Sequence, residues 1–575
     1  MKMGNRRYQF ALGGFEAEVG EGMKKMRQER VMSRIWAHDH TLWKDDPAEI
    51  ANRLGWLHSP ETMVEAIPGL MQFVEGIKGQ GYTRALLLGM GGSSLAPEMF
   101  SRIFGAEEGY LDLFVLDSTD PGAVLAAERR HDPRRTLYIV STKSGGTIET
   151  LSFMKYFYNR AKDALGEEGA GAHFIAITDP GSSLQSMAER LGFCRVFLND
   201  PNIGGRYSAL SYFGLVPAAL MGRDLAVLLE RAGTMARNSE GPKSPVRGNN
   251  SSALLGAAMG ELANRGLDKL TLVTSPGISA FGAWVEQLIA ESTGKEGKGI
   301  LPVQGEDLKE PQFYSRDRVF AYLRLDGDST HDTKIEALRK AGFPVFEFNL
   351  KDPYDIGGEC FRWEMATAVA GWFLGINPFD QPNVESAKVL ARKMVETYIR
   401  EGRLPEPEPA IEAADLMVYS DFPARSPEEA LEKFLSLARQ GEDGFRGRSY
   451  VAIQAFIAPG EETDSLLQDL RTSIQTAERL ATTVGYGPRF LHSTGQLHKG
   501  DGGRGLFIQI TADIPVDLPI PDEAGSEKSS ISFGVLKMAQ ALGDRQALLD
   551  AGRRVIRFHF RDKDAGLERL ARALG

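Results

Sequence analysis

Glu291 follows Gln287 by four residues in AFGAWVEQLIAESTGKEGKG, so a helix there carries both on one face. A carboxylate near the end of that helix, just before Ser292, Thr293 and Gly294, is a candidate general base. In VSTKSGGTIET, Thr142, Lys143, Ser144 and Thr147 surround Gly145 and Gly146 ahead of a helical stretch. Hydroxyls, backbone N–H groups and a helix N-terminus form an anion cradle, and the lysine adds charge. LLLGMGGSSLAP offers Gly92 for close backbone approach and Ser93 for its hydroxyl, without the glycine spacing of a dinucleotide fingerprint. Arg206, after Gly204 and Gly205, is a permanent cation able to steady a developing oxyanion. Gln381 and Lys388 lie seven apart in GINPFDQPNVESAKVLARK, again on one helical face. Each segment alone has an ordinary structural reading: a tight turn, a Ser/Thr-rich helix cap, an ion-paired arginine, a solvated glutamate, an exposed lysine.

Such groups need rigid elements to hold them. The apolar runs RALLLGM, LFVLDS, TLYIVST, HFIAIT and RVFLND alternate with helical stretches, which predicts a doubly wound parallel α/β domain over 81–220. KLTLVTS, GKGILPV, RVFAYLRL and PVFEFNL predict a second one over 221–400. Ligands in parallel sheets bind at the carboxyl ends of strands, which directs attention to the loops carrying these residues. Residues 1–80 read as helical, from apolar residues at three-to-four spacing. Residues 401–445, with repeated Pro–Glu steps, read as a stiff linker or arm. Residues 446–575 show the order βαββαβ and predict a ferredoxin-like α+β module.

Composition narrows the function. Lys and Arg number 67 against 77 Asp and Glu, a net charge of −10, which argues against nucleic acid as the main partner. With 42% hydrophobic and 25% charged residues the chain reads as globular, not disordered or fibrous. Cys194 and Cys360 are too few and too far apart for a disulfide framework or a metal knuckle, and read as buried small hydrophobes in a reducing compartment. No run approaches the roughly 18 apolar residues of a membrane span, and MKMGNRRYQF does not open a secretory signal, so a soluble, cytoplasmic chain is expected.

Taken together and in this order, the segments resemble the phosphoglucose isomerase family, over about residues 10 to 395. STKSGGTIET looks like the family's phosphate loop, GGRYS its arginine loop, ESTGK its glutamate segment and NPFDQPNVESAK its lysine segment. YGPRFLHSTGQLHKG is similar to the tail of isomerases fused to transaldolase; no transaldolase-length segment precedes it, and that activity is not assigned. The resemblance implies two three-layer αβα sugar-isomerase (SIS) domains and interconversion of glucose 6-phosphate with fructose 6-phosphate. Gly92, Ser93, Thr142, Lys143, Ser144 and Thr147 would hold the phosphate, and Gln287 and Gln381 the sugar. Glu291 would move a proton between C2 and C1, while Arg206 steadies the cis-enediol(ate). Lys388 would assist ring opening. The resemblance further implies no redox cofactor or metal, and a homodimer in which a neighbouring subunit's histidine opens the pyranose. His331, in DGDSTHDT, is the residue expected to fill that role, with His492 and His498 of LHSTGQLHKG as rivals. Two other readings stand beside this one. A non-catalytic SIS regulator would keep the phosphate loop without needing Glu291, Arg206 and Lys388 together. A related isomerase would act on mannose 6-phosphate or an amino-sugar phosphate.

Overall fold

A strand sandwiched between two helical layers is apolar along its whole length, and Thr136–Ser141 is buried at every residue. In the computed structural model, which describes residues 7–240, 250–438 and 449–573, it lies at the centre of a five-stranded parallel sheet. The order is Asp112–Leu116, Arg84–Gly89, Thr136–Ser141, Phe174–Thr178, Arg195–Leu198. The winding direction reverses between Arg84–Gly89 and Thr136–Ser141. A crevice opens at such a switch point, and the loops carrying Gly92 and Thr142 leave the sheet there.

A second sheet has the order Tyr8–Ala11, Val345–Leu350, Arg318–Leu325, Lys269–Thr274, Leu301–Val303. Its last four strands are parallel, as expected. Tyr8–Ala11 departs from the all-helical expectation for residues 1–80: it pairs antiparallel with Val345–Leu350. Phe10 packs there on Phe346 and Phe348. A four-residue strand shows too little periodicity to announce itself, and tertiary pairing decides its state. Cys360 is buried as expected; Cys194 is exposed instead, because it precedes the uncovered edge strand Arg195–Leu198.

The C-terminal α/β module differs from a ferredoxin-like sheet, which is antiparallel. Here Arg554–Phe560, Gly505–Ala512, Tyr450–Phe456 and Ala481–Tyr486, in that order, are all parallel. Helices Glu461–Glu478, Gly495–Gly500 and Phe533–Asp550 each carry the chain back to the same sheet end, which makes successive strands parallel. The expected linker 401–445 contributes to this module. Ile411–Glu412 and Leu416–Tyr419 extend the sheet antiparallel to Arg554–Phe560, and helix Pro427–Ser436 buries Leu431, Phe434 and Leu435 in its core. Residues 439–445 lie outside the described residues. Nor is there a clean break near 400, because helix Val384–Glu401 packs along Phe533–Asp550. No helix among the described residues is long and apolar enough to cross a membrane.

The module is docked tightly on the second domain. A Cβ at Gly294 would overlap the backbone of Leu497, so the turn after the Glu291 helix touches helix Gly495–Gly500 directly. Gly294→Ala is therefore expected to cost roughly 1–3 kcal/mol by overpacking. It should lower Tm and speed amide exchange across residues 495–500. A second prediction concerns Glu364, which is buried in helix Ile356–Leu374 with Oε1 unpartnered; burial alone raises its carboxyl well above the ordinary range. The folded state then holds its proton more tightly than the unfolded chain, so stability is lost as pH rises above the unfolded pKa. Glu364→Gln should raise Tm, and the gain should grow between about pH 5 and pH 8, where the free carboxyl is ionised.

Candidate active site

Helix Phe281–Thr293 presents Gln287 and Glu291 on one face, as their spacing predicts. Glu291 Oε1 lies 3.5 Å from the Arg206 guanidinium, and the glutamate side chain is only 12% exposed. Gln287 Nε2 donates to Glu291 Oε2 at 3.1 Å and to the His492 carbonyl at 2.7 Å. With both amide hydrogens taken, the buried Gln287 Oε1 has no partner and remains an acceptor.

Arg206 is nearly inaccessible and its donors are fixed. Nε donates to Ser292 Oγ at 2.7 Å, Nη1 to Gln381 Oε1 at 2.9 Å, and Nη2 to the carbonyls of Pro378 and Asp380 at 2.8 and 2.9 Å. One cation thus binds the arginine loop, the glutamate helix and the segment leading to Lys388. The first glycine loop closes on the same point: a Cβ at Gly92 would overlap the Gly205 carbonyl, so only glycine permits that approach. Lys295 lies alongside with its ammonium 2.7 Å from Asp380 Oδ1; burial, then the Arg206 charge, push it down to about 8.

The structure brings most of the hydroxyls expected to form an anion cradle near one another, and one residue points elsewhere. Thr142 and Thr147 hydroxyls are 3.0 Å apart, Ser93 is buried beside them in sequence-distant contact through Ser141, whose Oγ donates to the Ser93 carbonyl at 3.0 Å, and Ser144 stays exposed. Thr147 stands at the cap position of helix Ile148–Leu165 without capping it, so the first-turn N–H groups keep their donors free of that side chain. The residue that points elsewhere is Lys143: its ammonium pairs with Asp179 and donates to the Pro201 carbonyl at 2.9 Å. It anchors the loop to neighbouring turns.

The three candidate histidines separate clearly. His331 precedes helix Asp332–Lys340, near Tyr322 and Asp328, and lines a cavity of about 780 Å³ that none of Glu291, Arg206 or Lys388 lines. His498 is 2% exposed among Tyr450, Phe490 and Phe507, and burial drives its pKa well below the usual range. His492 alone joins the cluster, through its carbonyl on Gln287 and through Nε2, 2.8 Å from Glu149 Oε1. Arg489, paired with Glu98 and Asp117 of the first domain, anchors the turn that carries it.

Glu149 is a residue that sequence reasoning passed over. Its cue was an acidic side chain in the first turn of the phosphate-loop helix, where it suits the dipole yet is 3% exposed. Burial acts to raise its carboxyl, but the His492 charge and hydrogen bond, with Lys388 further off, outweigh that and hold it below the ordinary range. Lys388 itself is exposed, 3.7 Å from Glu385. Gln540, from helix Phe533–Asp550, also donates to Glu149 Oε1, and no local pattern marked it.

The chain is similar to known proteins. A family model for phosphoglucose isomerase matches residues 63–299. Glucose-6-phosphate isomerase of Rubrobacter xylanophilus is 29% identical over 439 residues, covering 67% of this chain and 96% of that protein. The enzyme of the same name from Thermus thermophilus is 30% identical over 392 residues, covering 60% and 91%. Among solved structures, a hypothetical protein, also from Thermus thermophilus, superposes with a TM-score of 0.57 at 27% identity, over 67% of this chain and 99% of that one. A glucose-6-phosphate isomerase from Chlamydia trachomatis shares the fold, with a TM-score of 0.50 at 20% identity over 68% and 88%. The chain belongs to the phosphoglucose isomerase family.

Proposed function

We infer that this chain interconverts glucose 6-phosphate and fructose 6-phosphate by proton transfer between C2 and C1 through a cis-enediol(ate), within glycolysis and gluconeogenesis. The observation carrying the reading is the Glu291 carboxylate held 3.5 Å from a buried, immobile guanidinium. The names of its relatives supply the substrate.

The phosphate sits among Ser93, Thr142, Ser144, Thr147 and the N–H groups ahead of helix Ile148–Leu165. Lys143 acts by fixing that loop. Binding at the remote phosphate orients the carbons that react. Ring opening comes first: His492 gives a proton to the ring oxygen as the C1–O5 bond breaks, and the C1 hydroxyl releases its proton to water, leaving an aldehyde. Glu149 holds that imidazole, and Lys388 supplies positive charge beside them. Glu291 then takes the C2 proton and returns it to C1. Arg206 stabilises the oxygen charge that develops between these steps, in a place where few waters compete. Gln287 Oε1 accepts from a sugar hydroxyl, and Gln381, held by Arg206, faces the same space. Only protons move, so the chemistry calls for neither a redox cofactor nor a metal. We retain, as part of this proposal, a cytoplasmic homodimer with no nucleic-acid partner, in keeping with a net charge of −10.

Glu291→Gln should lower kcat for fructose 6-phosphate by about 10²–10⁴, the usual range for a lost general base. The inhibition constant of 6-phosphogluconate should stay as in the parent. Coupled assays and inhibition titrations check both, and equal loss of the two overturns the assignment of Glu291. On cyclic substrate, His492→Ala should be slow and His331→Ala normal; the reverse result would return ring opening to His331.

A further inference from the structure

We propose that Gln540 is a positioning residue for ring opening, acting through Glu149 on His492; the proposal rests on the reading of His492 above. Gln540 sits on helix Phe533–Asp550 of the C-terminal module, beyond the stretch matched by the family model, and is 4% exposed. Its Nε2 donates to Glu149 Oε1 at 2.7 Å, the same oxygen that His492 Nε2 meets at 2.8 Å. Its Oε1 accepts from the Thr119 hydroxyl at 2.9 Å, and Thr119 is fully buried.

This chain of bonds has one consistent proton arrangement. Turning the Gln540 amide over would bring its oxygen against the Glu149 carboxylate, two acceptors facing each other. The carboxylate therefore keeps the amide nitrogen on Glu149, and the Thr119 hydroxyl holds the amide in place by donating to its oxygen. An ionised carboxylate only accepts, so His492 Nε2 must carry a hydrogen. The proton given to the sugar is then the second one, carried on Nδ1 by the charged ring, which returns to the neutral Nε2–H form as it leaves. Two donors on one oxygen also fix where that oxygen lies, so the imidazole has a single place to dock. The helix height is set nearby: Lys537, one turn before Gln540, donates to Asp120 Oδ2 at 2.8 Å, next to Thr119 in sequence. Gln540 touches neither phosphate cradle nor Glu291, so its influence is confined to the histidine step.

Ring opening can be read without isomerisation. In a Glu291→Gln background the full-length protein should still catalyse exchange between the α and β anomers of glucose 6-phosphate, measured by NMR exchange spectroscopy. Adding His492→Ala should abolish that catalysis. Adding Gln540→Met, which keeps the volume but loses the donor, should slow it about tenfold or more, the scale of a misplaced catalytic group. Thr119→Val should slow it in the same sense. Nitrogen-15 spectra of the histidines, recorded at a pH where the His492 ring is neutral, should show its one hydrogen fixed on Nε2 in the parent and shared between the two nitrogens in Gln540→Met. Calorimetry with 6-phosphogluconate reports folding of each variant, and if Gln540→Met does not bind it, Thr119→Val decides. If His492→Ala leaves anomer exchange intact, the reading of His492 fails. If His492→Ala abolishes exchange while the folded Gln540 and Thr119 variants run at the parental rate with an unmixed tautomer, the positioning role is overturned and the reading of His492 stands.

Discussion

A guanidinium taken out of water has to find its compensation in fixed partners, and Arg206 finds it in two separate parts of the chain beyond its own loop. Its loop belongs to the first sheet domain; Ser292 and Glu291 end a helix of the second; Pro378, Asp380 and Gln381 precede the lysine helix. Removing one partner would leave a buried charge undercompensated, at a cost of several kcal/mol. The two domains therefore cannot separate at this point without exposing or orphaning the cation. The same requirement that holds the domains together places the carboxylate beside a positive charge. Stability and chemistry draw on one interaction, and Gly92, pressed against Gly205, shows how little room is left around it.

The C-terminal module extends the logic. It brings His492 to Gln287 and Glu149, Gln496 to the Gly294 carbonyl and to Asn383, and Gln540 to Glu149. Gln496 is fully buried and bridges the turn after Glu291 to the start of the lysine helix. The module thus supports both acidic side chains of the site, one through a carboxamide on the adjacent turn and the other directly. His492 reaches Gln287 and Glu149 from within the same chain.

What the sequence disclosed follows from where its signals are local. Strands covered on both faces are continuous apolar runs, and all nine expected in the two domains are present. The site loops follow such strands, so Gly92, Thr142, Arg206, Gln287 and Glu291 could be found by type and spacing. Signals that depend on docking were not legible. His331, His492 and His498 all stand in polar loops, and only the contact between the module and the first domain separates them. The direction of the module's strands was hidden for a related reason: helix Gly495–Gly500 is six residues long, too short to show a helical period, so the connection across it reads as a hairpin. Lys143 illustrates the opposite limit. Its place beside hydroxyls and glycines suits an anion, yet its ammonium belongs to Asp179.

One buried atom shows how far this preorganisation goes. Gln287 could satisfy its own oxygen by rotating, but its nitrogen is held by Glu291 and the His492 carbonyl at once. Turning the amide would set its oxygen against two other acceptors, so Oε1 stays unpaired, at a cost of roughly 1–3 kcal/mol for a buried acceptor. Any hydroxyl delivered to that oxygen would remove the penalty. The groups that fix the amide are the Glu291 carboxylate and the turn bearing His492, so the acceptor keeps its direction only when both are in place. The direction of this one acceptor is thereby coupled to the docking of the C-terminal module against the helix that carries Glu291.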